Sequence, residues 1–261
     1  PSRAGRRPGH VPVHRPAGQL HPAELEAAVR QKPKARMLCN PANPCGKVVT
    51  REELAVVADL AKKYDADIIT DEGYEHIVYA PHTDTYMASL PGMSERTISC
   101  SSLSKTYSIT GWRLGYIIAP KEIAEVAKKV HDFLTVGAAA PLQEAAVVGL
   151  RFPEAYYTGL LGKYTEKRDL FLKGLRDLDI RHTTPEGAYY GLLDIAAFGY
   201  ESDLNFCERL AETVGVGAVP GSSFFRERVN HLIRLHFAKR NDTLYEALNR
   251  LEHMKKRMVR A

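Results

Sequence analysis

The stretch Ser102-Leu103-Ser104-Lys105-Thr106-Tyr107-Ser108-Ile109-Thr110-Gly111-Trp112-Arg113-Leu114-Gly115-Tyr116 begins where one short apolar run, Thr97 to Cys100, ends, and it passes into another, Leu114 to Ala119. Runs of this length bounded by turn residues read as strands, so Lys105 falls just beyond the carboxyl end of a strand. Working outward, Ala35 to Cys39 reads as a strand that enters the turn Asn40-Pro41-Ala42-Asn43-Pro44-Cys45-Gly46. Thr50 followed by Glu53 is a capping box, and Leu54, Val57, Ala58 and Ala61 supply the apolar stripe of the helix it opens. Asp67 to Thr70 reads as a strand ending at Asp71, and an earlier helix is expected to begin at Pro22, with Glu24 near its positive end. From residue 20 to 118 the pattern is therefore that of βαβ units. Asn43, Asp71 and Lys105 each follow the carboxyl end of a strand, where open α/β sheets place their ligands.

Downstream of Lys121 helices dominate, including a long one from about Pro153 to Leu175 that leaves the first domain. A smaller α+β unit follows: a strand near Ala188 to Asp194, a helix near Asp203 to Val214, short strands Val216 to Val219 and Leu232 to Phe237, and a final helix from Asp242. The predicted architecture is α/β, a three-layer α/β/α large domain with a mostly parallel sheet, joined to a smaller α+β carboxyl-terminal domain. The division is placed at 1–150 and 151–261.

With 261 residues, 44% hydrophobic and 26% charged, the chain can bury its own core without disulfides or metals. Its net charge of +5 is the small difference between 36 cations and 31 anions spread along the sequence. The basic ends, Arg3, Arg6 and Arg7 at one and Lys255, Lys256, Arg257 and Arg260 at the other, are accounted for by solvation and the helix dipole. No nucleic acid is expected as a partner. The longest apolar runs, such as Ala138 to Pro141 and Ala145 to Leu150, fall far short of the ~20 residues that span a bilayer, so no membrane is expected either. Cys39, Cys45, Cys100 and Cys207 have neither metal-ligand spacing nor the density of a secreted disulfide scaffold, which points to no metal and to a reducing cytoplasm.

A lysine after a strand is weak evidence alone, since most lysines are solvated surface charges. The run from Ser102 to Tyr116, however, resembles almost residue for residue the cofactor-lysine signature of the fold-type I, class I/II aminotransferases. The resemblance continues in the family's order. Asn40 to Gly46 is similar to its Asn-Pro-x-Asn-Pro-Thr-Gly turn, Asp71-Glu72-Gly73-Tyr74 to its Asp-x-x-Tyr element, Pro220-Gly221-Ser222-Ser223-Phe224 to its small-domain loop, and Ile233-Arg234-Leu235 to its substrate-arginine strand. The resemblance implies pyridoxal 5'-phosphate as cofactor, a homodimer, and transfer of an amino group from an L-amino acid to a 2-oxo acid.

The same resemblance implies roles for individual residues. Lys105 forms the Schiff base with the cofactor and later moves a proton. Asp71 pairs with the pyridine nitrogen, and Asn43 and Tyr74 hydrogen-bond the ring O3′. Ser102 and Arg113 hold the phosphate, with Ser101 and Ser104 equally open to the hydroxyl role. Arg234 clamps the substrate α-carboxylate bidentately, and Asn43 is expected at the substrate as well. Taken singly, Asp71 and Asn43 would serve as well as turn or cap residues, Tyr74 as a half-buried aromatic and Arg234 as half of a surface ion pair. It is their ordered combination that points to one site.

Two departures stand out. Cys45 occupies a position where the family commonly has threonine, a change read as tolerated. The first part of the family's large domain, with further phosphate donors, a ring-stacking aromatic and an amino-terminal arm, has no counterpart in these residues, so the chain is expected to be a piece of a longer protein. Two other functions fit the same residues: a pyridoxal-phosphate-dependent carbon–sulfur β-lyase, and a degenerate or regulatory domain that binds a ligand without turnover.

Overall fold

A computed structural model describes residues 22–31, 33–225 and 228–254. In chain order the elements are α1 (Pro22–Val29), β1 (Ala35–Cys39), α2 (Arg51–Lys63), β2 (Asp67–Asp71), β3 (Thr97–Ser102), α3 (Leu103–Thr106), β4 (Gly115–Ile118), α4 (Lys121–Thr135), α5 (Ala140–Leu150), α6 (Glu154–Asp177), β5 (Tyr190–Asp194), α7 (Asp203–Thr213), β6 (Val219–Pro220), β7 (Leu232–His236) and α8 (Asn241–Glu252). Strands β1 to β4 form one sheet in sequence order, with β1, β2 and β3 parallel and β4 antiparallel. The second sheet, ordered β5-β7-β6, is antiparallel. This is an α/β fold with a mostly parallel first sheet, as the alternation of apolar runs and amphipathic helices predicts.

The capping box forms as read: Thr50 Oγ1 accepts from Glu53 N at 3.2 Å, while Glu53 Oε2 accepts from Thr50 N at 2.8 Å. With its amino end thus satisfied, α2 turns Leu54, Val57, Ala58 and Ala61 inward, onto Leu38 of β1 and Ile68 of β2. Leu54 and Ile68 are each 1% exposed, and burial of such side chains contributes about 1.5–3 kcal/mol apiece. The second core gathers Phe171, Leu172 and Leu175 of α6 with Leu193, Ile233, Leu235, Phe206 and Leu210.

Backbone bonds stitch the two sheets together. Tyr79 N donates to Glu186 O at 2.8 Å and Ala188 N to Ile77 O at 2.8 Å, so the segment after β2 runs into the second core. Glu186 N and Gly187 N both donate to Gly46 O at 2.8 Å, which fastens the Asn40–Gly46 turn to the segment entering β5.

β3 runs on to Ser102, β4 stops at Ile118 and β7 at His236, and three further strand boundaries differ from expectation for a local reason. Ala188 has a φ of 57°, outside extended geometry, so β5 begins at Tyr190. Arg113 is left-handed at φ 56° and ψ 43°, so β4 begins at Gly115. Val219 and Pro220 pair with Arg234 and Ile233 and so define β6, while Val216 is buried in the second core ahead of the ladder. The basic residues at both ends of the sequence and its first 21 residues lie outside the described residues.

Gly46 is a tight point of this frame. Its φ is 70°, and a Cβ there would collide with Pro185 and come within 2.9 Å of Gly187 O. Gly46→Ala adds left-handed strain to overpacking and is expected to cost about 2–4 kcal/mol; chemical denaturation of parent and variant measures it, and an unchanged midpoint would show that the turn is free to move.

Candidate active site

Asp71 stands at the end of β2, level with Cys39 of β1 and Cys100 of β3. Its carboxylate is exposed and its Oδ1 accepts from Gly73 N at 3.3 Å. Side chains alternate across a strand, so the next residue, Glu72, turns to the opposite, buried face. There it meets hydroxyls: Thr70 Oγ1 donates to Glu72 Oε1 at 2.8 Å and Ser99 Oγ at 3.3 Å. Glu75 accepts from Ser101 Oγ at 2.6 Å, Tyr86 Oη at 2.9 Å and Tyr116 Oη at 3.3 Å. Asp84 completes this acidic layer. Its Oδ1 accepts from Asn40 Nδ2 at 3.3 Å, and its Oδ2 is buried with no hydrogen-bond partner among the described residues. Burial, reinforced by the charges of Glu72 and Glu75, pushes Asp84 up to about 7. Burial likewise raises the Cys39 thiol to about 12, helped by the charge of Asp71, so Cys39 is held as an inert thiol.

Lys105 lies on α3, a single turn capped by Ser102, whose Oγ accepts from Ser104 N at 3.1 Å and donates to Leu114 O at 3.3 Å. Ser102 therefore has a structural task as the cap of the lysine's own turn. Ser101, one of the two other hydroxyls open to the same role, is buried and bound to Glu75. Ser104 is also buried. Arg113 is exposed and donates from Nη1 to Thr110 O at 2.9 Å. Gly73 separates Asp71 from Ser102: a Cβ built on it would lie 3.4 Å from Asp71 Oδ1 and 3.7 Å from Ser102 Cβ.

Lys105 and Arg234, which are 129 positions apart in the chain, line the same cleft of about 400 Å³, together with Thr110, Tyr164, Tyr189 and Tyr190. Arg234 is on β7, where Ile233 and Leu235 face the core and Arg234 and His236 the other side, as alternation predicts. Its Nη1 donates to Asn43 Oδ1 at 2.6 Å. Its guanidinium carbon is 4.3 Å from the Tyr190 ring centroid and 4.4 Å from that of Phe224. The Tyr74 ring lies 6.0 Å from Lys105 Nζ, and the Tyr74 and Tyr190 hydroxyls are 2.7 Å apart. Burial, then the Tyr190 hydrogen bond, raises the Tyr74 phenol well above its ordinary value, which keeps it neutral.

The structure thus gathers Asn43, Tyr74, Lys105 and Arg234 about one cleft, with Asp71 beside Gly73 at its sheet edge and Ser102 and Arg113 apart from the cleft wall. Sequence reading missed Tyr190, Tyr189 and Tyr164. The only signal was an adjacent pair of tyrosines in a strand that otherwise reads as core.

The profile of the family described as aminotransferase class I and II matches residues 4–251. Among solved structures, the N-succinyldiaminopimelate aminotransferase from Mycobacterium tuberculosis superposes with a TM-score of 0.87 at 34% identity, over 91% of this chain and 62% of its own. An aromatic aminotransferase from Pyrococcus horikoshii gives 0.86 at 32%, over 94% and 66%. The methionine aminotransferase of Escherichia coli is 33% identical over 232 residues, 88% of this chain and 60% of its own length. The chain spans between 51% and 64% of the length of the curated relatives it matches.

The acidic layer makes a pH prediction. Asp84 has a raised folded value, about 7 against 3.8, so between those limits the folded state holds more protons than the unfolded one and stability falls as pH rises. Asp84→Asn keeps an oxygen for Asn40 and removes the charge. Thermal melts from pH 5 to pH 8 should show a smaller loss of Tm in the variant than in the parent; parallel curves would rule out Asp84 as the titrating group.

Proposed function

We propose, from the premise that this chain belongs to the aminotransferase class I and II family, that it carries the catalytic lysine and the substrate arginine of an L-amino acid:2-oxo acid aminotransferase. The observation that carries this reading is the meeting of Lys105 and Arg234 in one cleft, with Asn43 bonded to the arginine and Tyr74 beside the lysine.

Pyridoxal phosphate is the cofactor of the family, and the donor set here matches its functional groups. Lys105 offers an amine for the aldehyde, Asp71 an exposed carboxylate for the ring nitrogen, and Tyr74 and Asn43 hydrogen-bonding groups for the ring oxygen. Arg113, exposed on its left-handed turn, and Ser102 offer a cation and a hydroxyl for the phosphate. When bound, the cofactor supplies an electrophilic carbon for amines and a pyridinium ring that draws electrons from the bond being broken.

The chain's own residues would do the rest. Asp71 keeps the ring nitrogen protonated, because a carboxylate beside a pyridinium favours its charged form. Tyr74, held neutral by burial, donates a hydrogen bond to the ring oxygen. Lys105 would carry a proton to and from the substrate Cα as general base and acid. Arg234 binds the α-carboxylate. Its planar fork suits two oxygens at once, and the bond to Asn43 together with the neighbouring rings limits its movement.

The relatives' names specify different amino donors, N-succinyldiaminopimelate, methionine and aromatic amino acids, which share only the α-amino acid head. That head is what Lys105 and Arg234 address, so the proposed substrate class is L-α-amino acids with 2-oxo acids. The division into a cofactor-binding unit, residues 1–150, and a smaller unit, residues 151–261, belongs to the same proposal, as do a homodimeric assembly and a cytoplasmic location. The location is supported by four cysteines that are all free thiols. Among the described residues no helix is long and apolar enough to cross a membrane.

Borohydride reduction of protein reconstituted with pyridoxal phosphate should leave a phosphopyridoxyl group on Lys105 in a peptide mass map; a label on another lysine, or none at saturating cofactor, overturns the assignment. Arg234→Ala is expected to cost about 2–5 kcal/mol of carboxylate binding, read as a steep rise in KM for every amino acid tested with the cofactor absorbance unchanged, and Arg234→Lys should recover only part. Asp71→Asn should lower transamination by orders of magnitude while cofactor still binds; near-normal turnover would make Asp71 a strand-end cap.

A further inference from the structure

Tyr190 has no task in the chemistry above, yet it touches both halves of the site. On the paired strands β5 and β7, Tyr190 stands opposite His236 and Leu192 opposite Arg234, so Tyr190 and Arg234 are diagonal neighbours on one face of the sheet. The ring is buried and its centroid lies 4.3 Å from the guanidinium carbon, with that of Phe224 at 4.4 Å. The negative faces of aromatic rings attract a cation beside them, and two such neighbours limit how far it can swing. The hydroxyl of the same residue is 2.7 Å from that of Tyr74, and either oxygen can donate. An anionic oxygen placed beside Tyr74 selects one direction: Tyr190 donates to Tyr74, and Tyr74 donates outward. Hydrogen bonds in such a chain strengthen one another.

We propose that Tyr190 is a positioning residue that ties the substrate end of the site to its cofactor end, its ring holding Arg234 on Asn43 and its hydroxyl turning the Tyr74 hydroxyl outward. The inference rests on the site proposed above. A purely structural tyrosine, packed in the aromatic group with Tyr74 and Tyr189, would tolerate loss of its hydroxyl without consequence for either ligand.

The full chain, reconstituted with pyridoxal phosphate, provides the test. Tyr190→Phe keeps the ring and removes the hydroxyl. With one donor gone from the chain, the anionic ring oxygen is less well stabilised, so the pH midpoint of the bound cofactor's visible absorbance should move upward by about half to one unit. Binding of 3-phenylpropanoate, a simple monocarboxylate, to the cofactor-free variant should stay within about twofold of the parent by calorimetry, because the ring still faces Arg234. Tyr190→Leu, checked for folding by its melting curve, should weaken that monocarboxylate about tenfold. A Tyr190→Phe midpoint that coincides with the parent's overturns the proposal by itself, whether or not the leucine variant folds; so does parental monocarboxylate affinity in a folded Tyr190→Leu. A parent protein with no cofactor absorbance at saturating pyridoxal phosphate instead overturns the proposed function, which keeps the two failures apart.

Discussion

The bond from Arg234 to Asn43, 2.6 Å long, joins a strand of the second sheet to a turn of the first, and the cleft exists because these two elements meet. A guanidinium whose carbon lies 4.3 Å from the Tyr190 ring centroid and 4.4 Å from that of Phe224 has few ways to move. Its partner is fixed just as firmly. Asn43 sits in a turn anchored by Asn40, whose Oδ1 accepts from Val49 N at 2.8 Å, and by Gly46, whose carbonyl accepts from two backbone donors ahead of β5. Rigid elements on both sides hold a charged group at one place, which a site needs if it is to orient a small anion.

Beneath the sheet edge lies an arrangement that binary patterning does not foresee. The inward positions of β3 are Thr97, Ser99 and Ser101, hydroxyls where a core strand would carry valine or isoleucine. Ser99 bonds Glu72 and Ser101 bonds Glu75, while Thr97 Oγ1 is buried with no partner among the described residues, and the two glutamates are satisfied by hydroxyl donors and not by cations. Alternation along the backbone places Asp71 on the outer face and Glu72 on the inner one. Two adjacent acids therefore have opposite environments: one exposed, and one whose charge burial disfavours, with a raised value in consequence. Only the exposed one can act as a carboxylate toward a ligand at the sheet edge.

The family signatures, the parallel strands and the capped helix α2 were legible in the sequence because each depends on local chemistry. A capping box needs residues three apart, a strand needs a short apolar run, and a motif needs its letters in order. Lys105, Asp71, Asn43, Tyr74 and Arg234 could all be named as candidates on those grounds. Their meeting could not be derived that way: Lys105 follows a strand of the first sheet and Arg234 lies on a strand of the second, and their shared cleft depends on how the segments after β2 and before β5 are stitched together. Tyr190 illustrates the limit. In the sequence it is one of two tyrosines in an apolar strand; only antiparallel pairing of β5 with β7 sets it diagonal to Arg234, and only the packing of the second core brings its hydroxyl to Tyr74. Side-chain identity and local backbone preference are properties of the sequence, whereas contact across more than a hundred residues follows from which buried faces find each other, and that was decided by the tertiary structure.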